Sequence, residues 1–405
     1  MRTARWLRAA LLVLGFLPAP RPARAGYLTL DQAVRLAKKR APSAVDASFA
    51  VATARASGAG AKVPIFRNPS LEITGETSRA TKDVNLVSFV YLPVEVSGQR
   101  SARVAEWRRL VEWQASRESS AHADTTGAAV SAYGAVLVAR ARLEQAKRAA
   151  AEAEAEAEAY RARSKVGDVT IYDVSAVESE SARYRQLEVT AIASLALAVA
   201  HFSELVGEAP PDQLGPDEGP PRIAESIRVE DWVDRGPAVR ALRSEGRYWI
   251  ASRERFEADR TPPLVLIATG GRGDYGEARV GGGIGFEFPV FRGNQGEIAR
   301  ADAEQARAGR LAEAVRAALL ERARGALAAY RGIVAGVDEL DRNGIPAAER
   351  AERAVTLALR AGKVEMIRVL IARRDLAAAR ARRLDLVEVA WSAYAELASI
   401  RGALP

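Results

Sequence analysis

Val166-Gly167-Asp168-Val169 lies between two long stretches poor in helix breakers, and it is met again as Ala361-Gly362-Lys363-Val364. The spacing between the two occurrences decides how the chain is read. Gly207 recurs as Gly402, Ala41-Pro42-Ser43-Ala44 as Gly236-Pro237-Ala238-Val239, and Tyr91-Leu92-Pro93-Val94 as Glu287-Phe288-Pro289-Val290. Every pair is offset by 195 or 196 residues. So steady an offset describes two structurally equivalent halves, a pseudo-symmetric molecule rather than one domain with an unrelated appendage.

Upstream of Val166, residues 99–165 hold only Gly127 and Gly134 as interruptions. At 1.5 Å per residue such a helix is a rod of roughly 100 Å, longer than a globular domain needs. Downstream, a return helix is expected over about 171–206. Its apolar run from Ala191 to Ala200 is too short to span a bilayer and reads as packing surface. Residues 208–235 carry Pro210, Pro211, Pro216, Pro220 and Pro221 and link the first repeat, 26–207, to the second, 236–402. The second repeat follows the same plan, with a long helix over about 297–361 and a return helix over about 366–400. Asn343-Gly344-Ile345-Pro346 has no counterpart in the first half and predicts a kink or short break there.

Ahead of each long helix the period changes from helical to two. Thr29 reads as the N-cap of an opening helix with Leu30, Ala33, Val34 and Ala37 on one stripe. A hairpin is then expected over about 69–96, with Val87, Phe89 and Tyr91 on one face of its second strand. The matching hairpin, about 263–291, places Val280, Ile284, Phe286 and Phe288 in alternation with Gly281, Gly283, Gly285 and Glu287. A half-buried strand of a soluble sheet gives the same period. Four strands of about ten residues cannot close a barrel alone, but several chains together could, and ten tilted residues match a transmembrane β-strand.

Arg2, Arg5 and Arg8 precede an apolar run from Ala9 to Leu17, and Ala23-Arg24-Ala25 offers small residues where a signal peptidase reads, so residues 1–25 are expected to be a signal peptide. The absence of cysteine excludes disulfides, lipid attachment at an N-terminal cysteine and thiolate metal sites. The net charge of +8 comes from 59 Lys+Arg against 51 Asp+Glu. Much of it alternates with acids along helices, which describes a solvated helical surface and not a nucleic-acid patch. With aromatics at 6% and text dominated by Ala, Arg and Glu, the composition suits long helices packed through small residues.

The opening Leu28-Thr29-Leu30-Asp31-Gln32-Ala33, the strand ends Leu92-Pro93-Val94 and Phe288-Pro289-Val290-Phe291, and the tips at Val166-Gly167 and Ala361-Gly362 together resemble the TolC-type outer-membrane efflux proteins over nearly the whole mature chain. Within that family, residues 291–299 and the modest length look closest to CzcC-like components of heavy-metal export systems. The resemblance implies a mainly α fold with a β-barrel part: a homotrimer whose chains each give four strands to one 12-stranded outer-membrane barrel, continued by an α-helical tunnel across the periplasm. It also implies a passive exit duct embedded in outer-membrane lipid, fed by an inner-membrane pump of the RND type through a periplasmic adaptor (membrane fusion) protein.

By that resemblance the turn at Val166, Gly167 and Thr170 and the turn at Gly362 and Lys363 are the tips on which the adaptor docks. Gly167 answers physically to a turn that needs positive φ. In drug-exporting relatives, aspartates on the second return helix ring the tunnel entrance; here those places hold Arg368 and Ile371, while the first half offers Asp173. The expectation is an entrance where Asp173 and Arg368 alternate and pair between helices to hold it closed. No enzyme, cofactor or metal site is expected, because His122 and His201 are the only histidines and stand far apart in helical text. Two other ducts, for drug efflux or type I secretion, share the fold and differ by partner. A periplasmic coiled-coil scaffold or adaptor would share the Ala/Glu/Arg helices but not the glycine-rich, membrane-length hairpins.

Overall fold

The computed structural model describes residues 28–64, 67–77, 84–212, 214–215, 219–272, 276–287, 291 and 293–405. The expected signal peptide, 1–25, and Phe288 lie outside the described residues. Helix α1 (Leu30–Arg40) opens on a capping box, in which the Gln32 N–H donates to Thr29 Oγ1 at 3.3 Å and the Thr29 N–H donates to Gln32 Oε1 at 2.9 Å. Its apolar stripe buries Ala33, Val34 and Ala37. Helices α2 (Pro42–Ala56) and α3 (Gly58–Ala61) follow, then strands β1 (Ser70–Thr77) and β2 (Val84–Val94). The rod α4 runs unbroken over Gln99–Lys165 and α5 returns over Ile171–Val206. After α6 (Val229–Asp234) the second half repeats the order with α7 (Pro237–Ala258), β3 (Leu264–Arg272), β4 (Ala278–Gly285), α8 (Gln295–Glu339), α9 (Ile345–Arg360) and α10 (Met366–Arg401).

The duplication reaches individual hydrogen bonds. Both long helices start from a residue in the left-handed region, Gly98 (φ 79°) and Asn294 (φ 54°). In each case the residue before it, Ser97 or Gly293, donates its N–H to the glutamine two places on, Gln99 or Gln295, at 3.0 Å. Both return helices end on a glycine with positive φ, Gly207 and Gly402, whose N–H bonds to the carbonyl four residues back.

Between α8 and α9 the helix does not break. The interruption expected at Asn343–Pro346 takes the form of a π turn, Leu340–Gly344, in which the Ile345 N–H reaches back to the Leu340 carbonyl. A proline ring clashes with the carbonyl four residues earlier, and the wider turn makes room for Pro346 while the chain stays helical.

The main core lies where α1 and the middle of α4 meet the ends of α5 and α10, with Tyr133, Phe202, Trp391 and Tyr394 buried among small residues. Gly134 is what lets α4 and α10 approach: a Cβ there would stand 2.3 Å from Trp391 Cγ. Two tyrosines bind the connecting segments to this core. Tyr133 Oη donates to the Leu28 carbonyl at 2.9 Å and accepts from the Gly215 N–H at 2.7 Å, while Tyr330 Oη donates to the Pro221 carbonyl at 2.8 Å. A second cluster, Ala157, Tyr160, Val174, Val177, Met366, Val369 and Leu370, closes the far end of the helices next to the two turns.

Candidate functional site

The four strands form one antiparallel sheet in the order β1-β2-β3-β4, so β1 and β4 are both edges. Register assigns its two faces, because residues directly opposite each other share a side. One face carries the rows Leu71–Val90–Ala268–Gly282, Ile73–Ser88–Gly270–Val280 and Leu92–Leu266–Ile284. Its apolar side chains stand in the open, Val280 at 90% and Ile284 at 66% exposure. The other face carries Glu72–Phe89–Thr269–Gly281, Thr74–Val87–Gly271–Arg279 and Ser70–Tyr91–Ile267–Gly283. A cavity of about 640 Å³ lined by Glu76, Asn85, Val87, Thr269 and Arg279 marks this as the concave side. Tyr91 Oη donates to Glu72 Oε2 at 3.0 Å across it. An apolar convex face and a polar concave one is the arrangement of a lipid-facing barrel wall around an aqueous lumen.

The strand residues singled out from the sequence therefore fall on opposite sides. Val87, Phe89 and Tyr91 face the concave side and Ile284 the convex one. Phe286 is a correction: β4 ends at Gly285, opposite Val265, and Phe286 lies one residue past it. The ladder stops there because Pro262 and Pro263 precede β3 and have no N–H to extend it. Glu72, Glu76 and Arg279 join the concave side; the alternation of Leu71-Glu72-Ile73-Thr74-Gly75-Glu76 carries the signal for the two glutamates, and Arg279 is placed there only by register.

At the opposite end, α4 and α9 each finish in a Schellman turn. Gly167 (φ 75°) donates to the Ser164 carbonyl and Asp168 to that of Arg163; Gly362 (φ 68°) donates to Leu359 and Lys363 to Ala358. Val166 is 79% exposed and Lys363 is exposed. Thr170 caps α5, accepting from the Asp173 N–H at 3.1 Å and donating its hydroxyl to Asp173 Oδ2 at 2.7 Å. Asp173 is thus already engaged within its own turn. Arg368 is exposed on the first turn of α10 and makes no ion pair among the described residues of the protomer, so one chain does not bring these two side chains together.

Between the tips and the core, ion pairs tie the helices to one another. Arg373 on α10 reaches both Glu156 on α4 and Glu352 on α9, and Arg374 reaches Glu180 on α5. Burial holds the Glu156 carboxyl above its ordinary value, against the pull of Arg373. Among the described residues no group of three or more His, Cys, Asp or Glu side chains is placed to hold a metal ion.

A two-faced open sheet feeding paired rods that turn at exposed tips defines a protomer built as a segment of barrel wall continued by a helical tunnel wall. No family model matches the chain. It is 28% identical over 395 residues to the cobalt-zinc-cadmium resistance protein CzcC of Cupriavidus metallidurans, covering 95% of this chain and 92% of that protein. Its fold is similar to that of the solved CusC, with a TM-score of 0.74 at 15% identity over 91% of each chain. It is similar too to the outer membrane channel CmeC of Campylobacter jejuni, with a TM-score of 0.75 at 14% identity over 93% of this chain and 86% of that one. VceC of Vibrio cholerae gives 0.71 at 18% over 93% and 97%. The chain is thus similar to CzcC along nearly its whole length and shares its fold with the solved outer-membrane channels CusC, CmeC and VceC.

Proposed function

We propose that the protein is the exit duct of a tripartite efflux system and that the cargo it passes is heavy-metal cations. The observation that carries the cargo is the similarity to a cobalt-zinc-cadmium resistance protein along 95% of the chain, from the strands through both tips. The duct works as a homotrimer. Support for this comes from the two free sheet edges and from α5, whose most apolar 18 residues are only 11% buried in one protomer, with Val189 and Leu197 at 66% and 74% exposure. Neighbouring copies would cover both features. A periplasmic adaptor docks at the tips and an inner-membrane pump of the RND type supplies the energy. Cations then pass the polar lumen without a tight site, because a duct that holds its cargo conducts slowly.

The reading is tested by deleting the gene in its host and measuring growth inhibition by cobalt, zinc and cadmium beside that by a panel of lipophilic drugs. Metal sensitivity that is restored by the wild-type gene supports the proposal. Sensitivity to drugs alone would replace the metal cargo with the drug-efflux reading.

A further inference from the structure

The two tips share a backbone and differ in chemistry. Superposing them by the offset of 195 puts Asp168 with Lys363, Thr170 with Glu365, Ile171 with Met366, Tyr172 with Ile367 and Asp173 with Arg368. At the first tip Ile171 and Tyr172 join Val166 in the open, at 76% and 69% exposure, and the charges are spent internally. Arg163 Nε donates to Asp168 Oδ2 at 2.7 Å and Asp173 caps its helix. Arg163 and Lys165 balance Asp168 and Asp173. At the second tip Met366 is buried and Ile367 is only 36% exposed. Within the protomer, Arg360, Lys363 and Arg368 stand exposed without a salt-bridge partner among the described residues, against Glu365 alone, a net of +2 over the equivalent residues.

We propose that the tips dock chemically different segments of the adaptor: the α4–α5 tip an apolar one and the α9–α10 tip an acidic one. The inference rests on the exit-duct reading and goes further by naming the partner's chemistry at each tip. Arg360 and Lys363 at the second tip gain from carboxylates opposite them and reject a basic or purely apolar segment, so the alternation sets the register in which adaptor copies are accepted around the ring. The first tip offers apolar area with its charges internally satisfied and gains from burial.

The experiment places a photo-crosslinking benzoylphenylalanine at Tyr172 or at Lys363 of the full chain, in cells that also make the cognate adaptor and pump, and maps the products by mass spectrometry. The expected result is adaptor products from both positions in two different segments, with Asp or Glu within one turn of the Lys363 product and apolar residues around the Tyr172 product. Arg360→Glu with Lys363→Glu is expected to cut the Lys363 product tenfold or more, and Asp/Glu→Lys in the mapped segment to restore it. Unboiled electrophoresis checks that each variant still assembles. Products from both positions in one common adaptor segment, or a Lys363 product with lipid or glycan, overturn the inference and leave the duct reading intact. No adaptor product from either position overturns both.

Discussion

Arg374 on α10 donates from Nε to Oε2 of Glu180 on α5 at 2.9 Å, and its Nη2 reaches the same oxygen. Glu180 is 4% exposed and its remaining cation, Arg183, stands at 3.4 Å. With Arg373 bonded to Glu156 and Glu352, two consecutive residues of α10 fasten it to α4, α5 and α9 at one level. Only Glu180 is buried, since Arg374 is 45% exposed, so removing Arg374 leaves the carboxylate with Arg183 and nearby water and costs about 1–2 kcal/mol, less than breaking a fully buried pair. Arg374→Ala is expected to lower the apparent Tm of the detergent-solubilised protein by several degrees, whereas Glu180→Met with Arg374→Met recovers most of the loss. An unchanged Tm in the single variant would mean that water already satisfies Glu180.

Gly134 and Gly332 both interrupt long helices, but only one of them has a neighbour in the way. A Cβ at Gly134 meets Trp391 at 2.3 Å, while one at Gly332 meets nothing within 4 Å in the protomer. Gly134→Ala must push α4 and α10 apart and is expected to destabilise by about 1–3 kcal/mol. Gly332→Ala gains helix propensity, about 0.5–1 kcal/mol. Thermal melts of the two variants should therefore move in opposite directions.

Gly167 and Gly362 were legible as turns because a helix that ends and reverses needs a left-handed residue, and glycine takes that conformation without steric cost. The long rods were legible for a similarly local reason, the lack of breakers over residues 99–165. The side of the sheet that faces water was not. Val87, Phe89 and Tyr91 look like an outward apolar face until register places them in a row with Glu72, Thr74 and Thr269. Period two says that faces alternate, and only cross-strand pairing says which is which. Arg373 and Arg374 were equally silent, since their partners lie 21 to 217 residues away and meet them only through packing.

Acid should loosen α6 from α8. The hydrogen bond from Arg316 holds the Asp234 carboxyl below its usual range, and Glu230 is held low by its own backbone N–H and by Arg324. A carboxylate whose folded pKa is depressed contributes fully above its unfolded value, about 4, and loses that contribution as pH falls through the folded value. Apparent Tm is expected to fall as the pH drops below about 4. The slope should be shallower in Asp234→Asn with Glu230→Gln, and an identical slope would assign the acid limb to other carboxylates.

The π turn at Leu340–Gly344 holds one residue more than an α turn. Deleting Asn343 should return it to α geometry and keep α9, α10 and the second tip in phase. Deleting Ala328 from the regular part of α8 should instead rotate everything beyond it by about 100°, misplacing Leu359 and its contacts in the tip cluster. Comparing oligomer formation and metal resistance in the two deletion strains separates these outcomes. Equal damage from both would show that Pro346 requires the wide turn.

Charge at the entrance gives the last test. Between neighbouring copies, Asp173 of one chain and Arg368 of the next are proposed to pair and hold the tunnel shut. Within its own chain Asp173 already accepts from Thr170, so Asp173→Ala would also remove a helix cap worth about 1 kcal/mol and confuse gating with folding. Asp173→Asn keeps the acceptor and removes the charge. The variant Asp173→Asn, Arg368→Gln is therefore expected to assemble normally and to raise single-channel conductance and open time in planar bilayers. Each single variant leaves one charge facing its own symmetry copies and should open at least as readily. Conductance and closure unchanged in the double variant would remove Asp173 and Arg368 from the gate and leave the closed state to the apolar cluster of Val174, Val177, Met366 and Leu370 behind the tips.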